Sequence, residues 1–375
     1  MLVLVLGHRR GCTKVLEKMN IPYIVWSVKK IKNKLKAIKI IEAPLANSKE
    51  QLIQQIGAVG AISHVIAGTE EAVFPATKAR MWLEARRNPL SLIIRCTDKL
   101  KMKEFLKSKK IPMTEYISGQ TEHSTNTIID RLGTPVVAKP RKSSGGRGLK
   151  FLNSEDELAL EKNKDIIFEK SIQGTEGSVE SLIINGKVQF TNITEYLHLG
   201  HCNLVPGHYD LKFKKQVLDL NAKVIDALNI QWGMTHMEFY RTADSKILFG
   251  EIAIRPPGGY IMESLTLAYS CDFWELFVKN ELNLLELPRM SLMNYTASII
   301  IHPQPGKVKS ISGMDEIANL ESLKKFKLKL KPHQEIHKRL GVGQDHGYAL
   351  LAHLDKDQLL NDVNNFDRLL KIEMF

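Results

Sequence analysis

A chain of 375 residues with 43% apolar content is long enough for two or three domains with real cores. Its four cysteines, Cys12, Cys96, Cys202 and Cys271, stand singly without a Cys-x-x-Cys, so neither a zinc site nor a disulfide scaffold is indicated and a reducing cytoplasm is the expected setting. The net charge of +12 raises a nucleic-acid reading, but the lysine clusters at 29–39 and 324–331 lack the interleaved aromatics that stack bases, and they read as solvated faces.

Met1–Leu6 is apolar, but Gly7-His8-Arg9-Arg10 interrupts it too soon for a signal peptide, and no run approaches the roughly 20 residues of a membrane span. Neither a nucleic acid nor a membrane is therefore expected as a partner. Residues 1–95 read as a parallel α/β domain: strands at Leu2–Leu6 and Tyr23–Ser27, a strand end at Val65–Gly68, and helices at Cys12–Met19 and Ala72–Arg87. Gly7 and Gly11 do not make a dinucleotide fingerprint, so no NAD is expected there.

Thr97-Asp98-Lys99 opens a helix that runs on toward Lys110-Ile111-Pro112-Met113. Pro135–Pro140 is a short apolar strand ending at Lys139, followed by Arg141–Gly148, where Ser143, Ser144, Gly145, Gly146 and Gly148 let backbone N–H groups close on phosphate oxygens. No lysine and Ser/Thr pair follows the glycines, so this is not a P-loop. Asp165–Lys170 is a second strand, ending in Glu169 and Lys170, and Glu176 follows. Such a strand end can offer backbone groups to an adenine edge, and the later carboxylate can accept both ribose hydroxyls.

His198, His201 and His208 could be read as a zinc cluster, but Pro206-Gly207 between them suggests a loop over a substrate pocket. Residues 195–209 are expected to help select the substrate. His236–Tyr240 alternates, so His236 and Glu238 share a face, and 241–246 forms a turn before the apolar strand Ile247–Ile254. Glu251 sits within that strand and Arg255 just beyond it. Two carboxylates on neighbouring strands suit a hard divalent ion that also touches phosphate, and the guanidinium suits a transferring phosphoryl group. The alternative is a salt bridge from Glu251 to Arg255. His236 is either a base or an orienting partner of a metal ligand. From Asn294 a β-rich segment runs to a helix near Lys356–Leu370. His333-Gln334-Glu335-Ile336-His337 spaces histidines like a zinc-protease helix but has glutamine where that motif needs glutamate.

These motifs, in this order over 97–259, resemble the ATP-grasp superfamily. Within it, His-x-Glu before the turn, Glu-x-x-x-Arg-x-x-Gly-Gly after it, and the C-terminal segment resemble carboxylate–amine ligases of the L-amino-acid ligase and carnosine synthase type. The resemblance implies an α/β (α+β) ATP-grasp fold: a Rossmann-like pre-ATP-grasp domain at 1–95, the grasp core at 96–290 with a lid at about 113–168, and a small β-rich module at 291–375. It implies Lys99 and Lys139 on phosphates, the loop from Ser143 to Gly148 as lid, Glu169, Lys170 and Ile172 as adenine hinge, and Glu176 on the ribose. Glu238 and Glu251 would hold Mg2+ or Mn2+ with ATP, and Arg255 would steady an acyl phosphate. Ala253 stands where many members have an asparagine ligand, which leaves the number of ions open. The implied activity is a cytoplasmic ligase, by default a homodimer, that joins a small carboxylate to an amine. The alternatives are a carboxylase or purine-pathway ligase of the same fold, and a non-catalytic ATP-binding module.

Overall fold

The computed structural model describes every residue except Val342. The N-terminal unit contains β1 (Val3–Leu6), α1 (Arg10–Lys18), β2 (Tyr23–Ser27), β3 (Lys39–Glu42), α2 (Lys49–Ile56), β4 (His64–Ala67) and α3 (Glu70–Trp82). Its four strands are parallel in the order β3-β2-β1-β4. β1 and β2 are buried along their whole lengths, as strands covered on both faces must be, which is why they read as unbroken apolar runs. The chain order reverses between β1 and β4, so the loops after them meet at the carboxyl end of the sheet, where such sheets place ligands. They meet closely: a β-carbon on Gly68 would strike the Gly7 carbonyl. Helix α3 ends earlier than its periodicity suggests, because Glu84 turns left-handed at φ 55° and the polar run to Asn88-Pro89 has no apolar stripe to bury.

Helices α4 (Leu90–Thr97) and α5 (Lys99–Ser108) lead into the lid. Asp98 caps α5 by accepting from the backbone of Leu100 and Lys101, at 3.1 and 3.3 Å. The same carboxylate takes a two-pronged bond from Arg141, at 2.6 and 3.1 Å, and so ties the start of α5 to the glycine-rich loop. The segment expected as the lid comprises β5 (Tyr116–Ser118), α6 (Thr125–Leu132), β6 (Val136–Pro140), β7 (Lys150–Leu152), α7 (Glu155–Glu161) and β8 (Ile166–Lys170). Its strands are ordered β5-β8-β6-β7, with both helices packed over one apolar cluster.

The remaining elements are β9 (Gly174–Ile184), β10 (Lys187–His198), β11 (Cys202–Val205), α8 (Leu211–Leu228), β12 (Gly233–Thr242), β13 (Ile247–Ala253), α9 (Ile261–Ala268), α10 (Phe273–Glu281), β14 (Tyr295–Ile301), β15 (Gly306–Ser312), α11 (Met314–Ala318), β16 (Leu323–Leu328), β17 (Glu335–Ile336), β18 (Gly347–His353), α12 (Lys356–Leu369) and β19 (Lys371–Met374). Eight strands form one antiparallel sheet in the order β13-β12-β9-β10-β11-β14-β18-β16. The C-terminal strands therefore continue the grasp sheet, through pairing of Cys202–Val205 with Thr296–Ile299. His333 and His337 flank a two-residue strand, not a helix. Among the described residues no helix is long and apolar enough to cross a membrane.

Candidate active site

A cavity of about 360 Å³ opens between the lid and the grasp sheet. It is lined by Lys99, Lys139, Ser143, Ser144, Gly145, Gly146, Glu169, Lys170, Ile172, Glu176, His236, Glu238, Glu251 and Arg255. Gly148 is the residue named from the sequence that does not face it. Its φ is 74°, and a β-carbon there would lie 2.7 Å from the Pro140 ring, so this glycine serves the turn of the loop.

Strand register explains the convergence. On β9 and β12 the pairs His236↔Glu180, Glu238↔Ser178 and Tyr240↔Glu176 lie directly opposite, so alternate residues of both strands point into one face. The pairing of β12 with β13 slips between Met237 and Phe239, a bulge that re-aims the side chains around Glu251. Glu238 and Glu251 keep 31% and 27% of their side chains exposed, toward the cavity. Glu251 pairs with Lys99 at 3.0 Å, not with Arg255.

Glu180 is fully buried and accepts from Ser178 (2.7 Å), Asn192 (3.1 Å), Thr194 (2.6 Å) and His236 Nδ1 (2.9 Å). His236 Nε2 faces Glu238 at 3.5 Å. Burial works against charge on His236, but the two carboxylates outweigh it and push its pKa up to about 9. An imidazolium with both nitrogens facing carboxylates has no lone pair for a proton. Of the two alternatives for His236, this arrangement favours the one in which it orients Glu238.

Lys99 donates to the Ser143 carbonyl at 2.6 Å, joining α5 to the lid loop. Lys139, at the end of β6, reaches Glu169 at 2.8 Å and the Tyr240 hydroxyl at 3.4 Å. Lys103, on the other side, reaches Glu169 at 3.1 Å. Burial would raise the Glu169 carboxyl, but these two ammoniums hold it down at about 2. Glu169 thus has a side-chain role, as the shared partner of two lysines, that the sequence reading did not assign. Lys103, Tyr240 and Glu180 were also missed, though each carried a signal. Lys103 is one helical turn from Lys99, and the other two stand at alternate strand positions from Glu238 and Ser178.

Arg255 pairs through Nε with Glu70, in the first turn of α3, and donates to the Pro256 carbonyl at 2.8 Å. The N-terminal domain therefore holds this arginine in place. Arg9, after β1, donates to the Pro257 carbonyl at 3.1 Å and lies over the Trp274 ring. Tyr196, Leu199, Gly200 and Asn203, from the segment expected to select the substrate, also line the cavity. His201 in that segment bonds the Ile300 carbonyl and Asp367. Among the described residues no group of three His, Cys, Asp or Glu side chains is placed to hold a metal alone. The two carboxylates, which line the same cavity as Lys99 and Lys139, nevertheless fit a magnesium-type ion, which takes one or two carboxylates and draws its other ligands from nucleotide phosphates and water.

A model of the ATP-grasp domain matches residues 104–265. That stretch is ATP-grasp-like in sequence. In sequence it is 26% identical over 244 residues to the L-arginine-specific L-amino acid ligase of Bacillus subtilis, a match covering 60% of this chain and 59% of that one. It is 24% identical over 251 residues to a formate-dependent phosphoribosylglycinamide formyltransferase of Bacteroides fragilis, covering 61% and 62%. The chain thus spans about three-fifths of the length of these curated relatives. Among solved structures, the L-amino acid ligase of Bacillus licheniformis superposes with a TM-score of 0.84 at 17% identity, covering 100% of this chain and 98% of that one. That superposition shows that the chain shares the fold of that ligase over its whole length.

Proposed function

We propose that the chain is an ATP-dependent carboxylate–amine ligase, and that the residues lining the cavity bind ATP and activate a small carboxylate, an amino acid or its like. The observation that carries this reading is the gathering of Glu238, Glu251, Lys99, Lys139 and Arg255 on one cavity beside a glycine-rich loop. A module that only bound nucleotide would have no use for the arginine as well as both carboxylates.

In this reading the backbone of Ser143–Gly146 and the ammoniums of Lys99 and Lys139 hold the phosphates. Glu238 and Glu251 would hold the divalent ion, which, when bound, offsets phosphate charge. The carboxylate oxygen attacks the γ-phosphorus, the bond to the β-bridging oxygen breaks, and ADP leaves with an acyl phosphate formed. The amine then attacks the acyl carbon, Arg255 steadies the oxyanion, and phosphate departs as the amide forms and the nitrogen loses a proton. That proton passes to solvent or the leaving phosphate.

Phosphate release from ATP, across amino acids offered singly and in pairs, is expected only with particular pairs, and to vanish in Glu251→Ala. Release driven by bicarbonate alone would instead favour the carboxylase reading, and ATP binding without turnover on any acid would sink the ligase.

A pH dependence follows from Glu176. Burial, and then the neighbouring Glu238 carboxylate, push its pKa up to about 7. Between pH 4.5 and 7 the folded chain keeps a proton that the unfolded chain has lost, so this group's contribution to stability shrinks as pH rises through that window. If the ionised form accepts the ribose hydroxyls, ATP affinity rises from pH 6 to pH 8, and Glu176→Gln flattens that slope. Titration calorimetry at each pH reads it; an unchanged slope in Glu176→Gln would remove Glu176 from the ribose.

A further inference from the structure

Lys103 has no part in the chemistry above, yet it is a charged side chain only 2% exposed. It sits one turn along α5 from Lys99, behind Glu169, and does not line the cavity; Lys139, on the opposite oxygen of the same carboxylate, does. Two buried ammoniums on one carboxylate are more positive charge than Glu169 needs. Burying a second lysine is costly, and burial does press the Lys103 amine below its ordinary range even with Glu169 beside it. A structural anchor for α5 would not need to be a cation, since the rest of that helix face is closed by apolar Leu100, Met102 and Leu106.

The excess becomes useful when a polyanion enters. Lys139 must then turn from Glu169 toward phosphate oxygens. If Glu169 had Lys139 alone, that movement would leave a carboxylate, 3% exposed, without a counter-charge. With Lys103 fixed at 3.1 Å the carboxylate stays balanced throughout.

We propose that Lys103 is a positioning residue for nucleotide binding: it remains on Glu169 as a standing counter-ion and so frees Lys139 to exchange that carboxylate for the phosphates of ATP. This rests on the nucleotide-binding half of the proposed function. Lys103→Met leaves a neutral Lys139–Glu169 pair, which keeps the fold but holds Lys139 back from phosphate. Removing the carboxylate as well, in Lys103→Met with Glu169→Gln, releases Lys139 again.

The test is the Kd for ATP with magnesium, by titration calorimetry on the full chain, with thermal melts of each variant. Lys103→Met is expected to bind about tenfold more weakly or worse. The double variant is expected to recover most of that loss, and Lys103→Arg, which keeps a cation on Glu169, to bind as the wild type does. A merely structural lysine predicts the reverse order, with the double variant no better than the single one. That result, or unchanged affinity in Lys103→Met, or weakening as large in Lys103→Arg, overturns the inference. A wild-type chain that binds no ATP overturns the proposed function and this inference together.

Discussion

Arg255→Ala is expected to lower kcat for carboxylate-dependent phosphate release by about 10²–10³-fold, with little change in ATP affinity. Under the proposed mechanism the guanidinium acts on charge that develops during reaction, so its loss falls on kcat rather than on binding of nucleotide. The structure shows why it is well prepared. Its side chain is only 13% exposed, and Glu70 and the Pro256 carbonyl fix its orientation before any substrate arrives. Burial disfavours the charge, but Glu70 more than restores it and holds the group above its ordinary range. Arg255→Lys should recover little, because an ammonium cannot bond Glu70 and an oxyanion in the same planar fork. Single-turnover phosphate release separates the outcomes. A kcat for Arg255→Ala within a few-fold of wild type would reduce Arg255 to an ion pair joining two domains.

The second large effect falls on stability, far from the cavity. Arg80 and Glu281 form an ion pair at 2.6 Å with side chains 7% and 8% exposed, joining α3 to α10. Arg80 also donates to the Val65 carbonyl at 2.9 and 2.7 Å. Burial lowers the affinity of Arg80 for its proton and raises that of Glu281, each despite its partner, so desolvation outweighs the mutual attraction. Such a pair adds little over an apolar substitute, but breaking one half of it is costly. Arg80→Ala is expected to reduce the unfolding free energy of the N-terminal domain by about 3–5 kcal/mol, and Arg80→Met with Glu281→Leu to recover much of it. Urea unfolding followed by circular dichroism measures both. A loss under about 1 kcal/mol for Arg80→Ala would mean that Arg86, which also lies over the Trp232 ring, neutralises Glu281 unaided.

Much of the cavity was legible in the chain because its chemistry lies in local patterns. Alternation put His236 and Glu238 on one face, and the structure keeps them there. Asp98 before Lys99 is a helix cap that can be read directly, and it starts α5 where the lysine meets the loop. The glycines of 145–148 were legible as a loop whose backbone can fold closely, and the structure gives Gly145, Gly146 and Gly148 left-handed φ of 62°, 72° and 74°. Partners were another matter. Glu251 to Arg255 looked like a pair at four residues' spacing, but at the end of an extended strand four residues span more than 12 Å or so, and each side chain found a partner from elsewhere.

The sequence by itself determined the kinds of group present, their order, and the strands and turns that present them, because periodicity, capping and glycine conformation act over a few residues. Only the tertiary structure decided which charges neutralise one another. Glu169 between Lys103 and Lys139, Glu180 beneath His236, and Glu70 on Arg255 are contacts over 30 to 185 residues of chain, set by sheet register and domain docking. A charge withdrawn from water takes whichever counter-charge the packing brings within reach, and spacing along the chain carries no record of that choice.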